Sequence, residues 1–380
     1  MKSRSRKDDA FARILRAKGD RQELDKILQD ECRRRASQKL AATLSLAPGF
    51  RFPTALSAEQ ASADSVAEFH ASLLPDGLRV VDLTCGLGID AFHLARKARS
   101  VVAIDMDSTV ADAIAGNAEA LGLDNVVGVN ADCRDWLAGQ EAGSFDVAFI
   151  DPARRAADGS RLYSLTQCVP DVTSMLESIQ RVCRRLIIKA SPMLDVAKSL
   201  AELPGVTDVY AVGTRAECKE LLFDITFGSS VQPAIHAVTV GEGRLTSGSD
   251  DVPAVYASEL IVGDILGEPW PAVMKIRPRG AIGGEQLHPS TFLFRNPSPG
   301  FQGNRYEVVR VEEFSSSNLR RLAREGVEAS VAVRNFALTA DQLRQRLKAR
   351  ESSETRLMAT TLAPNRQILV FLRAIDEKIS

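Results

Sequence analysis

The sequence predicts an α/β fold, in which a seven-strand, mostly parallel, doubly wound sheet is accompanied by a helical N-terminal region and a smaller α/β C-terminal domain. Three observations predict it. Between residues 79 and 230, short β-branched runs alternate with segments long enough for crossover helices, as parallel strands require. Several runs are almost wholly apolar, which is typical of strands buried on both faces. The last two runs are joined by GTRAECK, which is too short for a parallel crossover, so we expect them to pair antiparallel.

Seven runs of the sequence predict the strands of this sheet. In chain order they are RVVDLT (79–84), SVVAID (100–105), VVGVN (126–130), FDVAFI (145–150), RLIIKA (185–190), VTDVYAV (206–212) and ELLFDITF (220–227). We expect residues 75–230 to form this domain. Residues 1–74 precede it as a helical region, because apolar residues recur there at helical spacing among charges.

The composition changes after the last predicted strand. Residues 241–253 are polar and rich in turn residues, which predicts a hairpin tip or a loop. Residues 278–304 are dense in Gly and Pro and predict an ordered loop. Towards the C-terminus a second α/β pattern appears. We therefore expect a small connecting α/β region over 231–285 and a C-terminal domain over 286–380.

The 380 residues have the composition of an ordinary globular protein, with 45% hydrophobic residues and a net charge of −1. The charge is uneven, because the first forty residues hold thirteen Lys and Arg against seven Asp and Glu. Such a segment contacts phosphates or forms a solvated helix face, and both interpretations stay open. The six cysteines include no C-x-x-C pair, which argues against a metal site or a disulfide framework and predicts a reducing compartment. No apolar run is long enough for a signal peptide or a membrane span, so we expect a cytoplasmic protein.

The stretch VVDLTCGLGID (80–90) predicts a nucleotide site, because a strand runs into a glycine turn and then a helix. One interpretation is a dinucleotide site. Gly86-x-Gly88-x-x-Ala91 matches the G-x-G-x-x-A pattern, and Asp105 ends the second strand.

Three acidic residues favour S-adenosylmethionine over a dinucleotide. Asp82 precedes the turn, where it would repel a pyrophosphate but attract an amino group and a sulfonium. Asp132 follows the third strand and is placed to accept from an adenine amino group. Asp151 begins DPARR (151–155) at the end of the fourth strand, where ligands bind in doubly wound sheets. Asp105 would then hold the ribose hydroxyls.

Four segments carry a family resemblance. VVDLTCGLGID, AIDMD, NADCRDW and DPARR, in this order and spacing, resemble motifs I to IV of class I S-adenosylmethionine-dependent methyltransferases. The whole chain resembles a bacterial group of these enzymes with a THUMP-like C-terminal domain, on GEPWPAVMKIRPRG (267–280), HPSTFLFRNPSPGFQGNRYEVVRV (288–311) and VRNFALTADQLRQRLKAR (333–350). The resemblance implies a methyltransferase that binds S-adenosylmethionine and acts on RNA, namely a base of tRNA or rRNA. The residues expected at the cofactor are Asp82, Thr84, Gly86, Gly88, Asp105, Met106, Asp132 and Cys133.

Motif IV implies the catalytic residues, which we expect to be Asp151, Pro152 and Arg154. In related amino-methyltransferases this motif is often Asp-Pro-Pro followed by an aromatic residue, which stacks on a flipped base. Here Ala153 replaces the second proline and Arg154 replaces the aromatic residue, which weakens the case for methylation of a base amino group. Asp-Pro-x-Arg also resembles the 5-methyluridine RNA enzymes. Those need a cysteine at the end of the fifth strand, where this chain has Ser191, so uridine C5 methylation is not expected.

Several residues keep two interpretations. Arg154 and Arg155 clamp a substrate phosphate or pair with a neighbouring acid. Lys189 lines the acceptor pocket or extends to the surface. The motif III acid Asp132 contacts adenine or caps a helix, with Asp135 as a substitute.

The C-terminal domain also holds a set of cations that form either a phosphate-binding face or a solvated helix face. They are Arg320, Arg321, Arg324, Arg344, Arg346, Lys348 and Arg350. For the whole chain, the alternatives to RNA methylation are a small-molecule or protein methyltransferase, and a non-catalytic protein that binds cofactor and RNA.

Overall fold

A computed structural model describes residues 19–154, 164–247 and 254–375. Arg155, the predicted helical residues before 19 and the end of the predicted loop at 248–253 lie outside the described residues. The chain divides into two compact units. The first runs to Val209 and includes Glu220–Pro233, and the second comprises Tyr210–Lys219 and the chain from Ala234.

The helices of the described residues are numbered in chain order. They are α1 (Arg21–Ala36), α2 (Ala41–Leu46), α3 (Ala55–Gln60), α4 (Asp64–Ser72), α5 (Ile89–Ala95), α6 (Ser108–Ala120), α7 (Cys133–Ala138), α8 (Leu176–Val182), α9 (Val196–Glu202), α10 (Pro271–Ile276), α11 (Arg279–Ile282), α12 (Ser316–Glu325) and α13 (Ala340–Leu347).

The strands are numbered in the same way. They are β1 (Arg79–Asp82), β2 (Ser100–Asp105), β3 (Val126–Asn130), β4 (Val147–Ile150), β5 (Ala153–Arg154), β6 (Cys168–Val169), β7 (Arg185–Ala190), β8 (Val206–Gly213), β9 (Cys218–Thr226), β10 (Ala234–Thr239), β11 (Gly243–Ser247), β12 (Ile265–Pro269), β13 (Glu285–His288), β14 (Thr291–Arg295), β15 (Gly303–Glu313), β16 (Ser330–Arg334), β17 (Thr355–Leu362) and β18 (Arg366–Ala374).

The first sheet has the order β11-β10-β8-β9-β7-β4-β1-β2-β3. β1 runs parallel to β2 and β4, β3 is parallel to β2, and β7 is parallel to β4. β9 is antiparallel to β7 and neighbours β8. All seven predicted strands are therefore present in a mostly parallel sheet.

The predicted number of strands is too low, because β10 and β11 extend the sheet to nine strands. These two form a hairpin whose register runs from Ile235 opposite Ser247 to Thr239 opposite Gly243. The segment 241–253, for which a hairpin tip or a loop was predicted, therefore begins with the hairpin turn and continues as strand β11. The hydroxyl and charged side chains of β11 resemble those of a loop, because this strand lies at the edge of the sheet, where one face meets water.

The central strands are held by apolar side chains on both faces. All four residues of β4 are buried, and so are Val80 and Val81 of β1. Such strands fix the positions of the residues that follow them, because neither face can shift without opening the core. The loops at their carboxyl ends are therefore attached to the most rigid part of the first unit.

The predicted helical N-terminal region is confirmed from α1 onward, and it is joined to the sheet domain. The ring of Phe50 lies 5.4 Å from that of Phe52 and 6.1 Å from that of Phe92 on α5. The side chain of Asn117 on α6 accepts from the backbone N of Arg51 at 2.7 Å and donates to its carbonyl at 2.9 Å. These contacts fix the segment before α3 against the helices that follow the first two strands.

The second unit contains a seven-stranded sheet of order β13-β14-β12-β15-β18-β17-β16. Among the described residues, β16 and β17 pair in parallel, and the other neighbouring strands pair antiparallel. α13 starts at the capping box of Thr339 and Gln342. The predicted loop over 278–304 is wrong in part, because it contains α11, β13 and β14. Gly283 and Gly284, with φ of 64° and 73°, form the turn between α11 and β13, so the glycines there mark a junction between elements.

No helix among the described residues is long and apolar enough to cross a membrane. In the same residues, no group of three or more His, Cys, Asp or Glu side chains is arranged to hold a metal ion.

Candidate active site

The predicted acidic residues meet at one edge of the first sheet. Asp82 ends β1, Asp105 ends β2, and Asp151 follows β4. These three strands are parallel neighbours, so their carboxyl ends share one edge, the usual ligand site of such sheets. The structure thus brings together residues that lie up to seventy positions apart in the sequence.

The glycine turn is attached to the end of β2. The backbone N of Gly86 donates to Asp105 Oδ2 at 3.1 Å, and that of Cys85 donates to the carbonyl of Ile104 at 2.9 Å. Gly86 has a φ of 52°, and a Cβ built there would meet nothing within 4 Å. The turn therefore has open space on its outer side, as a cofactor lying across it requires.

Gly88 needs to be glycine for a different reason. Its φ is 84°, and a Cβ there would lie 2.6 Å from Cδ1 of Ile114 and 2.9 Å from the ring of Phe92. The space that a side chain at Gly88 would need is already occupied by residues of α5 and α6. The two glycines of the predicted motif thus separate into one that faces open space and one that the core requires.

The carboxylate of Asp105 is oriented by two backbone donors. Besides Gly86 N on Oδ2, the N of Asp107 donates to Oδ1 at 2.9 Å. Each carboxylate oxygen has a second lone pair for a ligand hydroxyl. Met106, the next residue, is 71% exposed. A fixed carboxylate beside an exposed thioether suits a ribose with an attached base.

Asp82 lies beneath the turn and is only 1% exposed. Its Oδ1 accepts from the backbone N of Thr84 at 3.2 Å. Burial, together with the carboxylates of Asp90 and Asp151, raises the pKa of Asp82 well above its ordinary value. A cation placed above the turn would reverse that effect, so the local electrostatics fit a cationic cofactor.

Asp132 has the geometry of a helix cap. It accepts from the backbone N of Arg134 at 2.9 Å and from the Arg134 guanidinium at 3.0 and 2.5 Å. Those hydrogen bonds hold the pKa of Asp132 below its ordinary value. Cys133 is buried, and burial raises the pKa of its thiol to about 11, so it stays a neutral thiol. An adenine amino group would share Asp132 with Arg134.

Motif IV is hydrogen-bonded to the glycine turn. The backbone N of Asp151 donates to Thr84 Oγ1 at 2.7 Å, and the N of Leu83 donates to the carbonyl of Phe149 at 2.9 Å. Pro152 is buried, and the backbone of Ala153 and Arg154 forms β5, which pairs with β6. The side chain of Arg154 lies outside the described residues.

A set of polar residues, four of them buried, extends inward from Asp151. We call it the buried charge network, and its members are Ser62, His70, Asp90, Asp151, Lys189 and Glu220. Lys189 Nζ lies 2.5 Å from Asp151 Oδ2 and 3.0 Å from Ser62 Oγ. Asp90 accepts from Ser62 Oγ at 2.6 Å and from His70 Nδ1 at 2.7 Å, and the other nitrogen of His70 is hydrogen-bonded to Glu220.

The charges of this network are set by burial and by each other. Burial disfavours a charged His70, but Glu220 and Asp90 raise its pKa to about 10, so it is an imidazolium with two donors. Burial opposes ionisation of Asp90 as well, yet His70 and Lys189 lower its pKa far below the ordinary value. Burial raises the pKa of Asp151, and Lys189 opposes that rise. The carboxyls that face the turn, Asp82 and Asp151, are therefore the ones with raised pKa.

Sequence reasoning missed Ser62, His70, Asp90 and Glu220. A usable signal was present for two of them. Asp90 belongs to IDAFHLA, in which every residue is buried, and Glu220 begins the apolar run ELLFDITF. An acid within a buried segment requires a partner. His93 on the same helix, by contrast, is hydrogen-bonded to Asp64 at 3.2 Å.

Comparisons with known proteins agree with this geometry. Residues 74–217 match a family model for a methyltransferase domain, and residues 303–374 match a model for a THUMP-like domain. The protein resembles a crystal structure of a candidate methyltransferase from Porphyromonas gingivalis W83, with 26% identity and a TM-score of 0.82, over 93% of this chain and 90% of that one.

Two kinds of relatives match the sequence. An uncharacterized S-adenosylmethionine-dependent methyltransferase of Mycobacterium tuberculosis is 28% identical over 80% of this chain and 83% of its own length. A 23S rRNA (uracil(1939)-C(5))-methyltransferase of Idiomarina loihiensis is 31% identical over 33% of this chain and 27% of its own. The corresponding enzyme of Photobacterium angustum is 43% identical over 21% of this chain and 38% of its own length. The chain thus spans well under half the length of these two rRNA enzymes.

The matched methyltransferase segment contains the glycine turn, the carboxylates at the sheet edge and motif IV, and the matched THUMP-like segment lies in the second sheet. The residues present fit S-adenosylmethionine, because the turn has open space beside Gly86 and the acids beneath it favour a cation. The chain therefore combines a methyltransferase domain, which uses S-adenosylmethionine, with a THUMP-like domain.

Proposed function

We propose that the protein transfers a methyl group from S-adenosylmethionine to a base of RNA. The observation that carries the proposal is the place of Asp151, whose backbone N is hydrogen-bonded to Thr84 of the cofactor turn at 2.7 Å and whose side chain is 40% exposed. An acceptor at this carboxylate would lie beside the cofactor. RNA as the acceptor is supported by the names of the rRNA enzymes that match part of the chain and by the THUMP-like match.

The cofactor site that we propose comprises Asp82, Thr84, Gly86, Gly88, Asp105, Met106, Asp132 and Cys133. Asp105 binds the ribose hydroxyls, and Met106 covers the adenine. Gly86 lets the backbone of the turn approach the methionine end. Asp82 attracts the cationic groups from beneath the turn. Asp132 and Cys133 border the adenine from the start of α7.

The proposed transfer needs no covalent enzyme intermediate. The cofactor supplies a methyl group that the sulfonium has already activated. Asp151 orients the acceptor atom and takes the proton that this atom loses as it bonds to the methyl carbon, while the electrons of the broken carbon–sulfur bond stay on sulfur. Pro152 holds the backbone after Asp151, and Arg154 binds a substrate phosphate. Catalysis rests on positioning and on exclusion of water.

The helices α12 and α13 of the second unit offer cations for the RNA backbone. Arg321 is bound by Glu312 and Glu325, and Arg344 by Asp341, so these charges are neutralised. Arg320 and Arg324 are exposed and donate to backbone carbonyls of their own helix. A guanidinium bonded to a carbonyl keeps its full charge, so we propose that these two arginines contact phosphates. RNA as the substrate also implies a cytoplasmic location.

The test uses RNA from a strain that lacks this gene. Purified protein is incubated with that RNA and with S-adenosylmethionine labelled on the methyl group. The Asp151→Ala variant is compared with Asp124→Ala, which removes an exposed aspartate after α6. Label should enter RNA with the intact protein and with D124A, but not with D151A, and nucleoside digestion then names the base.

The other functions predict different results. No label in RNA, despite cofactor binding by calorimetry, contradicts RNA as the acceptor. Label in a small-molecule or protein fraction of the same extract would identify that class instead. Cofactor binding without turnover on any fraction, unchanged by D151A, would identify a non-catalytic binding protein.

A further inference from the structure

We propose that Lys189 is a positioning residue for Asp151, and that Ser62 and Asp90 hold Lys189 in place. The inference rests on the proposed function in one respect, which is that Asp151 receives the acceptor. The position of Lys189, its burial and its contacts with Ser62 and Asp90 support the remainder of the proposal.

The ammonium group of Lys189 is directed to Asp151 from the interior. It donates to Asp151 Oδ2 at 2.5 Å and to Ser62 Oγ at 3.0 Å, and it lies 3.9 Å from Asp90 Oδ2. The Lys189 side chain is 12% exposed, whereas that of Asp151 is 40% exposed. The lysine thus occupies one carboxylate oxygen from the buried side. No described residue bonds to Oδ1 of Asp151, which leaves that oxygen for an acceptor.

The anchors of Lys189 come from two segments that lie outside motif IV. Ser62 precedes α4, and Asp90 lies in the first turn of α5. Ser62 Oγ accepts from Lys189 and donates to Asp90 at 2.6 Å, so one hydroxyl joins the two. Asp90 is fixed in turn by His70, which is fully buried and hydrogen-bonded to Glu220 on its other side. A lysine with four rotatable bonds is thereby confined to one position.

The confinement has an electrostatic consequence for Asp151. The titratable groups that face Asp151 among the described residues are Lys189, Asp82, Asp90 and Glu220. Burial, Asp90 and Glu220 raise the pKa of Asp151, and Lys189 opposes them. An opposite charge in direct contact lowers a carboxyl pKa by about one to three units. Without Lys189, the main influence that lowers this pKa would be lost, and Asp151 would lose its charge at a higher pH.

The experiment measures the protonation of Asp151 directly. The full-length protein is labelled with ¹³C at the aspartate carboxyl carbons, and the Asp151 signal is assigned by its absence in Asp151→Asn. Its titration is followed in the wild type, Lys189→Met and Lys189→Arg. Lys198→Met serves as the matched control, because Lys198 is an exposed lysine of α9.

We expect the midpoint for Asp151 to rise by about one to three pH units in K189M, to stay near the wild-type value in K189R, and to be unchanged in K198M. The acid limb of the methyl-transfer rate should move by the same amount, while the Kd for the cofactor stays within about twofold. An Asp151 midpoint that is the same in K189M and the wild type would overturn the proposal.

A second neutral variant keeps the test decisive if K189M does not fold. Lys189→Gln removes the charge but can still donate to Asp151, so it should fold where K189M does not and should show a smaller rise. If circular dichroism shows that both neutral variants are unfolded, Lys189 is required for folding and the positioning role is contradicted. The titration needs no substrate. A failure of RNA to accept label would therefore refute the proposed function while leaving this result intact.

Discussion

The hydroxyl of Thr84 accepts a hydrogen bond from the backbone N of Asp151 at 2.7 Å. Thr84 belongs to the turn that follows β1, and Asp151 to the segment that follows β4. The bond therefore fixes the distance between the cofactor turn and the residue that we propose to receive the acceptor. A shift of about 1 Å between such groups is enough to lower a transfer rate by two orders of magnitude.

Thr84→Val should uncouple these two segments. The valine keeps the shape of the side chain but leaves the N–H of Asp151 without its acceptor, which costs about 1–3 kcal/mol of the free energy of unfolding. We expect kcat to fall more than cofactor affinity. Urea denaturation and steady-state kinetics check this, and Thr84→Ser, which retains the hydroxyl, should behave like the wild type. Equal kinetics in T84V and T84S would contradict the coupling.

Alanine substitutions at the two glycines of the turn should have opposite profiles. In Gly86→Ala the new Cβ enters open space, so folding loses only the cost of a left-handed alanine, about 1–2 kcal/mol, while cofactor affinity falls. In Gly88→Ala the same cost is joined by overpacking against Ile114 and Phe92, about 1–3 kcal/mol more. Thermal unfolding and calorimetric titration of the cofactor separate the two. A G86A protein that binds cofactor normally would place the cofactor elsewhere.

Cofactor binding should release a proton from Asp82. Burial and neighbouring carboxylates raise the pKa of Asp82, so part of the population is protonated in the free protein as the pH falls. A cation above the turn favours the ionised form, so affinity should increase with pH through the range in which Asp82 titrates. Calorimetry in two buffers of different ionisation enthalpy measures the released proton.

Two controls define the source of that proton. Asp82→Asn should bind more weakly and show no release. S-adenosylhomocysteine, which lacks the sulfonium charge, should release less than S-adenosylmethionine with the wild type. A release that persists in D82N would assign the proton to another group.

Charge removal on α12 should weaken RNA binding in a salt-dependent manner. Each lost phosphate contact reduces the slope of log K against log salt by roughly 0.7 to 0.9, so Arg320→Gln with Arg324→Gln should reduce it by about 1.4 to 1.8. Arg99→Gln, which alters an exposed arginine of the first unit, is the matched control. Filter binding at several salt concentrations measures the slope. An unchanged slope in the double variant would mean that these arginines form only a solvated helix face.

The sequence predicted the framework of the site better than its interior. Asp82, Asp105 and Asp151 could be placed at one sheet edge, because apolar runs identify buried parallel strands and each acid ends such a run. The roles of the two glycines could not be separated, since the contact of Gly88 with Ile114 depends on how α5 and α6 pack.

The interior of the site depends on long-range contacts that no local pattern encodes. Lys189 was predicted to line the acceptor pocket or to extend to the surface, and only the fold shows that Ser62, 127 positions away, holds its ammonium group. His70 and Glu220 are 150 positions apart and meet because β9 lies beside β7. Strand β11 was missed for the opposite reason, since its polar composition is that of a hairpin tip or a loop.

The position of Ser62 and His70 has a consequence for the ancestry of the protein. Both precede residue 74, where the match to the methyltransferase family model begins, yet both are partners of Asp90 inside the sheet domain. A catalytic module exchanged at that boundary would carry Asp90, Lys189 and Glu220 into a new chain without the groups that balance them, and buried acids without partners are costly. We therefore expect recombination and gene fusion to have moved the segment that holds Ser62 and His70 together with the sheet.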